Sequence, residues 1–205
     1  MSSPGGSRPV GGPWGGSPAG ASLIEITVAM GITSLCALMS APVLAGAADA
    51  GRAREAAQYL AAECRSARME AVARNAASSL VFDLAGSRWR FRRCLDGNGN
   101  GMRRAEISSG RDTCRGSLEV SEQFSGVRIG VLGGLPDPDG GPGATDPVRF
   151  GSSDIATFTP LGTATSGTVY LRSDAGAQYA IRVAGTTGRV RILRFDVFSR
   201  VWTEV

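Results

Sequence analysis

The sequence predicts an α+β fold, in which a long N-terminal hydrophobic helix continues into an amphipathic stem packed on an antiparallel β head. Three features predict it: an uncharged apolar run, a segment whose apolar residues recur at helical spacing, and a C-terminal part whose apolar residues alternate. A length of 205 residues, with 42% hydrophobic and 20% charged residues, is typical of one folded domain with appendages. A collagen-like or wholly disordered protein is excluded.

The first segment, residues 1–20, is rich in Gly, Pro and Ser and has neither a helical nor a strand period. A segment of this composition does not bury a core, so we expect a leader peptide without a fold of its own.

The second segment, residues 21–48, carries no charged side chain from Ile26 to Ala48. About 20 such residues suffice for a helix to cross a bilayer, so the segment is predicted to be a transmembrane helix. Glu25 lies at the start of this run, and an unpaired carboxylate costs about 2.5 to 3.5 kcal/mol at the centre of a membrane helix. Cleavage between Gly20 and Ala21 would place a new amino group one helical turn away, where it would pair with Glu25.

The third segment, residues 49–77, is predicted to be an amphipathic stem helix. Its apolar residues recur at spacings of three and four, which is the period of one helix face. The predicted seam consists of Ala53, Ala57, Leu60, Cys64, Ala67 and Ala71. Small residues at these positions favour close packing against a sheet or a neighbouring helix.

The fourth segment, residues 78–205, is predicted to be the antiparallel β head. Leu80–Leu84 and Arg88–Arg92 alternate around a Gly86 turn and predict a hairpin, with Trp89 and Phe91 on one face. Further strands are predicted over Leu118–Phe124, Val127–Leu132, Ile155–Thr159, Thr168–Arg172, Gln178–Val183 and Arg189–Phe195.

The residues from Gly20 to Glu25, GASLIE, resemble the processing site of the prepilin family, a leader ending in Gly followed by F-T-L-I-E and a hydrophobic helix. The resemblance implies cleavage after Gly20 by the prepilin peptidase, N-methylation of Ala21, and a role for Glu25 in filament assembly. Pro42 matches the proline in the middle of the family's helix, where neighbouring helices tolerate the missing backbone donor.

Four further motifs narrow the resemblance to the GspH/FimT-type minor pseudopilins. They are ARMEAVARN within Ser66–Asn75, FTPLG at Phe158–Gly162, GTVYL at Gly167–Leu171 and GRVR at Gly188–Arg191. This resemblance implies a pilin-like fold, a single-pass inner-membrane anchor with a periplasmic head, and other pseudopilins or pilins as partners. The implied function is assembly into the pseudopilus of a type II secretion system or into a type IV pilus.

Cys94 and Cys114 flank one loop of the predicted head. In an oxidising envelope, a bridge closing about 20 residues stabilises a protein by roughly 3 kcal/mol, so we predict a disulfide between them. Cys36 and Cys64 are expected to remain free, as small apolar residues.

The segment from Asp96 to Gly101, DGNGNG, copies the first six positions of a calcium-binding EF-hand loop. Asp96, Asn98 and Asn100 are therefore candidate calcium ligands. The twelfth position is Ile107, and Glu106 lies one residue early, so a cluster of Asx and Gly turns without a cofactor is the alternative.

The alternation of Gly188–Arg191 places Arg189 and Arg191 on the same face of a strand. The GRVR motif resembles the place implicated in DNA capture by some FimT-like minor pilins, so DNA is a second candidate partner. Arg88, Arg90 and Arg92 extend this basic surface only if the fold brings the two strands together.

Two further function classes compete with these interpretations. Ala45-Gly46-Ala47 is typical of a secretory signal-peptide cleavage site, but Glu25 and the length of the apolar run are not. The sequence has no histidine and no lysine, which excludes a Ser-His-Asp triad and a lysine base, so we do not expect an enzyme.

Overall fold

The computed structural model of the chain describes residues 22–141, 143 and 145–205. The chain divides into two compact units on either side of the Val43–Leu44 bond. Helix α1 spans Leu23–Arg74 and contributes residues to both units. The residue after its end, Asn75, has a φ of 48°, the left-handed conformation that commonly stops a helix.

The second unit contains an antiparallel β head, as the sequence predicts. Its elements in chain order are β1 (Ser78–Ala85), β2 (Arg88–Leu95), α2 (Arg104–Ser108), β3 (Thr113–Cys114), α3 (Val120–Gln123), β4 (Val127–Ile129), β5 (Val148–Arg149), β6 (Ile155–Phe158), β7 (Gly167–Ser173), β8 (Gln178–Val183), β9 (Val190–Asp196) and β10 (Val201–Glu204). One sheet has the order β3-β2-β1-β6 and the other has the order β10-β9-β8-β7-β4, with β5 also paired to β7.

The stem packs on the head through the predicted seam. All six seam residues are at most 1% exposed, and they belong to one core cluster with residues of both sheets, including Phe82, Phe91 and Ile181. The seam is made mostly of alanine, which lets the helix backbone approach the sheets closely. The helical spacing of small residues therefore identified the buried face correctly.

One predicted strand, Leu118–Phe124, is wrong. Residues Val120–Gln123 form the short helix α3, which is closed by a capping box between Glu119 and Glu122. Each carboxylate of the box accepts a backbone N–H of the other residue, which satisfies donors that a strand would have paired differently. The predicted strand Val127–Leu132 is also shorter than expected, because β4 ends at Ile129.

Candidate functional site

The first unit presents an apolar helix surface on all sides. Residues 22–40 are all exposed, and the large apolar side chains among them are Leu23, Ile24, Ile26, Val28, Met30, Ile32, Leu35, Leu38 and Met39. By length and composition α1 qualifies as a helix that crosses a membrane. A helix that is apolar all round is stable only where lipid or other apolar helices surround it.

The hydroxyl groups of this segment are satisfied within the helix. Thr33, Ser34 and Ser40 each donate to the carbonyl oxygen four residues earlier, at 2.9, 2.7 and 2.8 Å. Thr27 donates to the carbonyl of Ile24 at 2.9 Å. These bonds leave fewer polar groups in need of water, which is the condition that a lipid environment imposes.

Glu25 lies in the first turn of α1 and is exposed. Within the described residues no cationic group lies within ion-pair distance of its carboxylate. Gly20 and Ala21 lie outside the described residues, so cleavage, methylation and pairing with the new amino group stay predictions. Pro42 lies within α1, but the structure does not describe its side chain.

Glu70 of the ARMEAVARN motif forms ion pairs between the stem and the head. Glu70 accepts ion pairs from Arg74 at 3.4 Å, from Arg115 at 3.6 Å and from Arg93 of β2 at 3.8 Å. Arg93 also pairs with Glu63 at 3.6 Å, and its side chain is only 12% exposed. Glu70 is 17% exposed, so its pair with Arg93 is shielded from water more than an ordinary surface pair, whereas Arg74 and Arg115 are more than 60% exposed.

Two other motifs meet the stem at Arg68. Gly162 and Gly188 have φ values of +83° and +58°, which disfavour other residues. A Cβ added at Gly188 would lie 2.6 Å from the carbonyl oxygen of Gly162 and 3.1 Å from Nε of Arg68. The glycines of FTPLG and GRVR are far apart in the chain but lie close together beside Arg68 of the ARMEAVARN motif. This close backbone packing leaves no room for a side chain at Gly188.

Arg189 and Arg191 converge on one carboxylate. Arg189 Nη2 lies 3.4 Å from Oε1 of Glu204, and Arg191 Nε lies 3.8 Å from its Oε2. The core-facing Val190 and Ile192 between and beyond them are 8% and 7% exposed, as the alternation predicts. The two arginines are thus on one face, but a glutamate of β10 already offsets part of their charge.

The other arginine group, Arg88, Arg90 and Arg92, lies on β2 in the opposite sheet from β9. These side chains pair with Glu119, Glu122 and Asp83, at distances from 2.6 to 3.9 Å. The basic face predicted from alternation is therefore a surface network of ion pairs, each of small energetic value.

Cys94 and Cys114 stand opposite each other in the β2–β3 register, with their Cα atoms 4.0 Å apart, and the structure joins them as a disulfide. Cys64 is fully buried in the seam, where burial and, secondarily, the charge of Glu63 raise the pKa of its thiol to about 12. Cys64 is therefore unreactive at neutral pH.

The DGNGNG loop folds around the Asp96 carboxylate. This group accepts backbone N–H bonds from Asn98 at 3.1 Å, Gly99 at 2.7 Å and Gly101 at 2.8 Å. Burial acts to raise the pKa of Asp96, but these backbone donors outweigh it and lower the pKa below its usual value. Asn98 and Asn100 do not face Asp96 with their amides, which donate instead to Oε1 of Glu106 at 3.4 and 2.6 Å.

The stem and most of the head match a known protein family. The family model described as Type II transport protein GspH matches residues 56–188. The chain belongs to the GspH family. No curated protein and no solved structure matches it.

The GspH match includes the buried seam from residue 56 onward, Glu70, the Cys94–Cys114 pair and the DGNGNG loop. It stops before Arg189 and begins after the apolar part of α1. Membership makes the chain a pseudopilin of type II secretion in general, a structural class of protein. The roles of Glu25, Arg189 and Arg191 rest on the residues themselves.

Sequence reasoning did not find the contacts of Glu70 with Arg93 and Arg115, or the place of Asp112 beside the DGNGNG loop. The backbone N–H of Gly97 donates to Oδ1 of Asp112 at 3.2 Å. The one sequence signal for this contact was Cys114, because a disulfide between Cys94 and Cys114 brings Asp112 close to the loop that follows Cys94.

Proposed function

We propose that this GspH-family chain is a minor pseudopilin that assembles into the periplasmic pseudopilus of a type II secretion system. The transmembrane segment, residues 21–48, anchors it in the inner membrane until assembly, with the head on the periplasmic side. Cleavage after Gly20 by the prepilin peptidase precedes assembly, and the partners are the membrane and other pseudopilins.

The observation that carries this proposal is the exposed apolar surface of residues 22–40, in a chain whose head buries a hydrophobic core of its own. Exposed apolar area costs about 25 cal/mol per Å² in water, so this surface favours lipid first and neighbouring apolar helices afterwards. A pseudopilin uses such a helix twice, as a membrane anchor and as the packed centre of a filament.

The carboxylate of Glu25 positions one subunit relative to the next during assembly. It has no partner among the described residues, and an ionised group in apolar surroundings is stable only when paired. The amino group released at Ala21, on the same chain or on a neighbouring one, supplies that partner. Pairing between chains would set the axial position of one subunit against the next.

The first test is the mature N-terminus, measured by mass spectrometry on protein from cells with and without the prepilin peptidase. We expect a chain that begins with N-methylated Ala21 only when the peptidase is present. A chain that begins at Ala48 would support the secretory signal peptide instead and would overturn the proposal.

The second test is Glu25→Val, with Glu55→Gln as a control that removes one exposed carboxylate of the stem. We expect the Glu25 variant to enter the membrane normally, since a charge is removed from the apolar run, and to be lost from pseudopili. Cross-linking to co-expressed pseudopilins measures the incorporation. Normal incorporation of the Glu25 variant would contradict the pairing role.

Capture of DNA is the competing function. Its support is the exposure of the Arg189 and Arg191 side chains, at 61% and 47%. The shared contact with Glu204 places a negative charge where a phosphate would bind. We therefore rank assembly, in a type II system or the related type IV pilus, above DNA capture.

A further inference from the structure

Three acidic side chains beside the disulfide are buried without a compensating cation. Asp96, Glu106 and Asp112 are 5%, 8% and 3% exposed. In the part of the chain that the structure describes, none of them forms an ion pair, although fifteen such pairs occur elsewhere. Burial of ionised groups without a partner of opposite charge is strongly unfavourable.

The fold itself brings these residues together. The β2–β3 register pairs Cys94 with Cys114 and Leu95 with Thr113, so Asp96 and Asp112 are the next residues along the two strands. Glu106 is in the first turn of α2, and Arg104 of the same helix holds α2 on β1 through Asp83 at 2.6 Å. Ile107, at the twelfth EF-hand position, packs instead in the apolar cluster that includes Cys94 and Cys114.

Two of the carboxylate oxygens have no hydrogen-bond partner. Oε2 of Glu106 and Oδ2 of Asp112 are both buried and unpaired among the described residues. Their sister oxygens contact the loop: Oε1 of Glu106 accepts from the amide of Asn100 at 2.6 Å, and Oδ1 of Asp112 accepts from the backbone of Gly97 at 3.2 Å. The free oxygens thus belong to groups fixed at the DGNGNG loop, and a bound cation would satisfy both of them.

We propose that this acidic loop, residues 96–112, binds one calcium ion. Glu106 and Asp112 supply the charge that the missing twelfth-position carboxylate would have supplied, and Asp96, Asn98 and Asn100 supply the remaining side-chain oxygens. Calcium takes six to eight oxygen ligands in flexible geometry, including carboxylates, side-chain amides and backbone carbonyls. Magnesium requires a tighter octahedron and retains water, so it fits this loop less well.

Binding includes a local rearrangement. Within the described residues no three acidic, histidine or cysteine side chains already converge as a metal site, and Asn98 and Asn100 present their NH₂ groups to Glu106. Calcium turns these amides so that their oxygens face the ion and replaces their bonds to Glu106. The backbone is prepared for this: Gly101, the sixth EF-hand position, has a φ of +88°, and a Cβ at Gly97 would overlap the carbonyl oxygen of Arg111.

The test uses the full chain in detergent, stripped with a chelator and then titrated with calcium chloride in a calorimeter. We expect one site with a dissociation constant of roughly 10⁻⁵ to 10⁻³ M, between the weakest sensor sites and the extracellular modules. Thermal unfolding of the head should move upward by about 4 °C or more in saturating calcium, and magnesium chloride should bind at least about tenfold more weakly. Absence of both heat and shift at about 10 mM calcium would overturn the proposal.

Glu106→Gln and Asp112→Asn separate calcium binding from a structural role, and Glu55→Gln is the control of equal charge change. In chelator, both loop variants should unfold at or above the wild-type temperature, because each removes an unpaired buried charge. In calcium, both should bind at least about tenfold more weakly and lose the thermal shift, whereas Glu55→Gln keeps it. Loop variants that bind calcium like the wild type, or that are destabilised equally in chelator and in calcium, would contradict the proposal.

Discussion

The two parts of α1 carry apolar residues in opposite ways. In the first unit, the apolar residues are large, lie on all faces and are 50% to 82% exposed from Leu23 to Met39. In the second unit the residues of the seam, from Ala53 to Ala71, are mostly alanine, lie on one face and are at most 1% exposed, whereas Met69 lies outside the seam and is 66% exposed. Large apolar side chains exposed on every side suit lipid or other helices, whereas small ones on one face suit a sheet of the same chain. The size and distribution of apolar residues therefore tell which surface is reserved for partners.

Leu60→Ala tests this contrast with the largest expected effect. Leu60 is fully buried in the seam, so its truncation leaves a cavity and should lower the free energy of unfolding by about 2 to 5 kcal/mol. The matched variant Leu35→Ala removes the same atoms from a side chain that is 60% exposed and should leave the head's stability unchanged. Urea unfolding of the full chain in mild detergent, followed by tryptophan fluorescence, measures both. Equal losses for the two variants would contradict the contrast.

Removal of the disulfide is expected to have the next largest effect on stability. Replacing Cys94 and Cys114 together by alanine should cost about 3 kcal/mol, since the bridge closes a loop with a sequence separation of 20 residues. Cys36→Ala, in the exposed apolar part of α1, is the control and should change nothing. Peptide mapping without reductant gives an independent check, and two free thiols at positions 94 and 114 would refute the bridge.

The ion pairs of the stem give a smaller effect. Glu70→Gln removes the carboxylate shared by Arg74, Arg93 and Arg115 and should lower the unfolding free energy by about 1.5 to 3 kcal/mol, because Arg93 remains partly buried. Glu122→Gln breaks the exposed pair with Arg90 and should cost less than about 1 kcal/mol. The same urea titration compares them. If Glu122→Gln costs as much as Glu70→Gln, burial does not strengthen the Glu70 pairs.

The sequence predicted regular elements better than it predicted contacts between them. The seam from Ala53 to Ala71 and strand β8 at Gln178–Val183 were predictable because a period repeats over several residues. The short elements β3, β5 and α3 span two to four residues, too few to show a period, and α3 was mistaken for a strand.

The candidate sites also differ in whether the sequence alone predicts their residues. Asp96, Asn98 and Asn100 form a local motif that the sequence shows directly. Asp112 joins them through the β2–β3 register, and Glu70 meets Arg93 only when the stem packs on β2. Both contacts depend on tertiary structure, and neither leaves a pattern in one chain segment.

The smallest effect is expected for the exposed arginines of the head. Arg189→Ala with Arg191→Ala removes two half-exposed side chains that share Glu204, so stability should change by less than about 1 kcal/mol. We also expect no change in DNA binding, because Glu204 repels phosphate at this position. Titration of the full chain in detergent with duplex DNA, over a range of salt concentrations, measures this. If the wild type binds at low salt and the double variant lowers the slope of log K against log salt by about two, at roughly 0.9 for each phosphate, the arginines bind DNA. That result would make the exposed face of β9 a second surface for binding partners, in addition to the apolar part of α1.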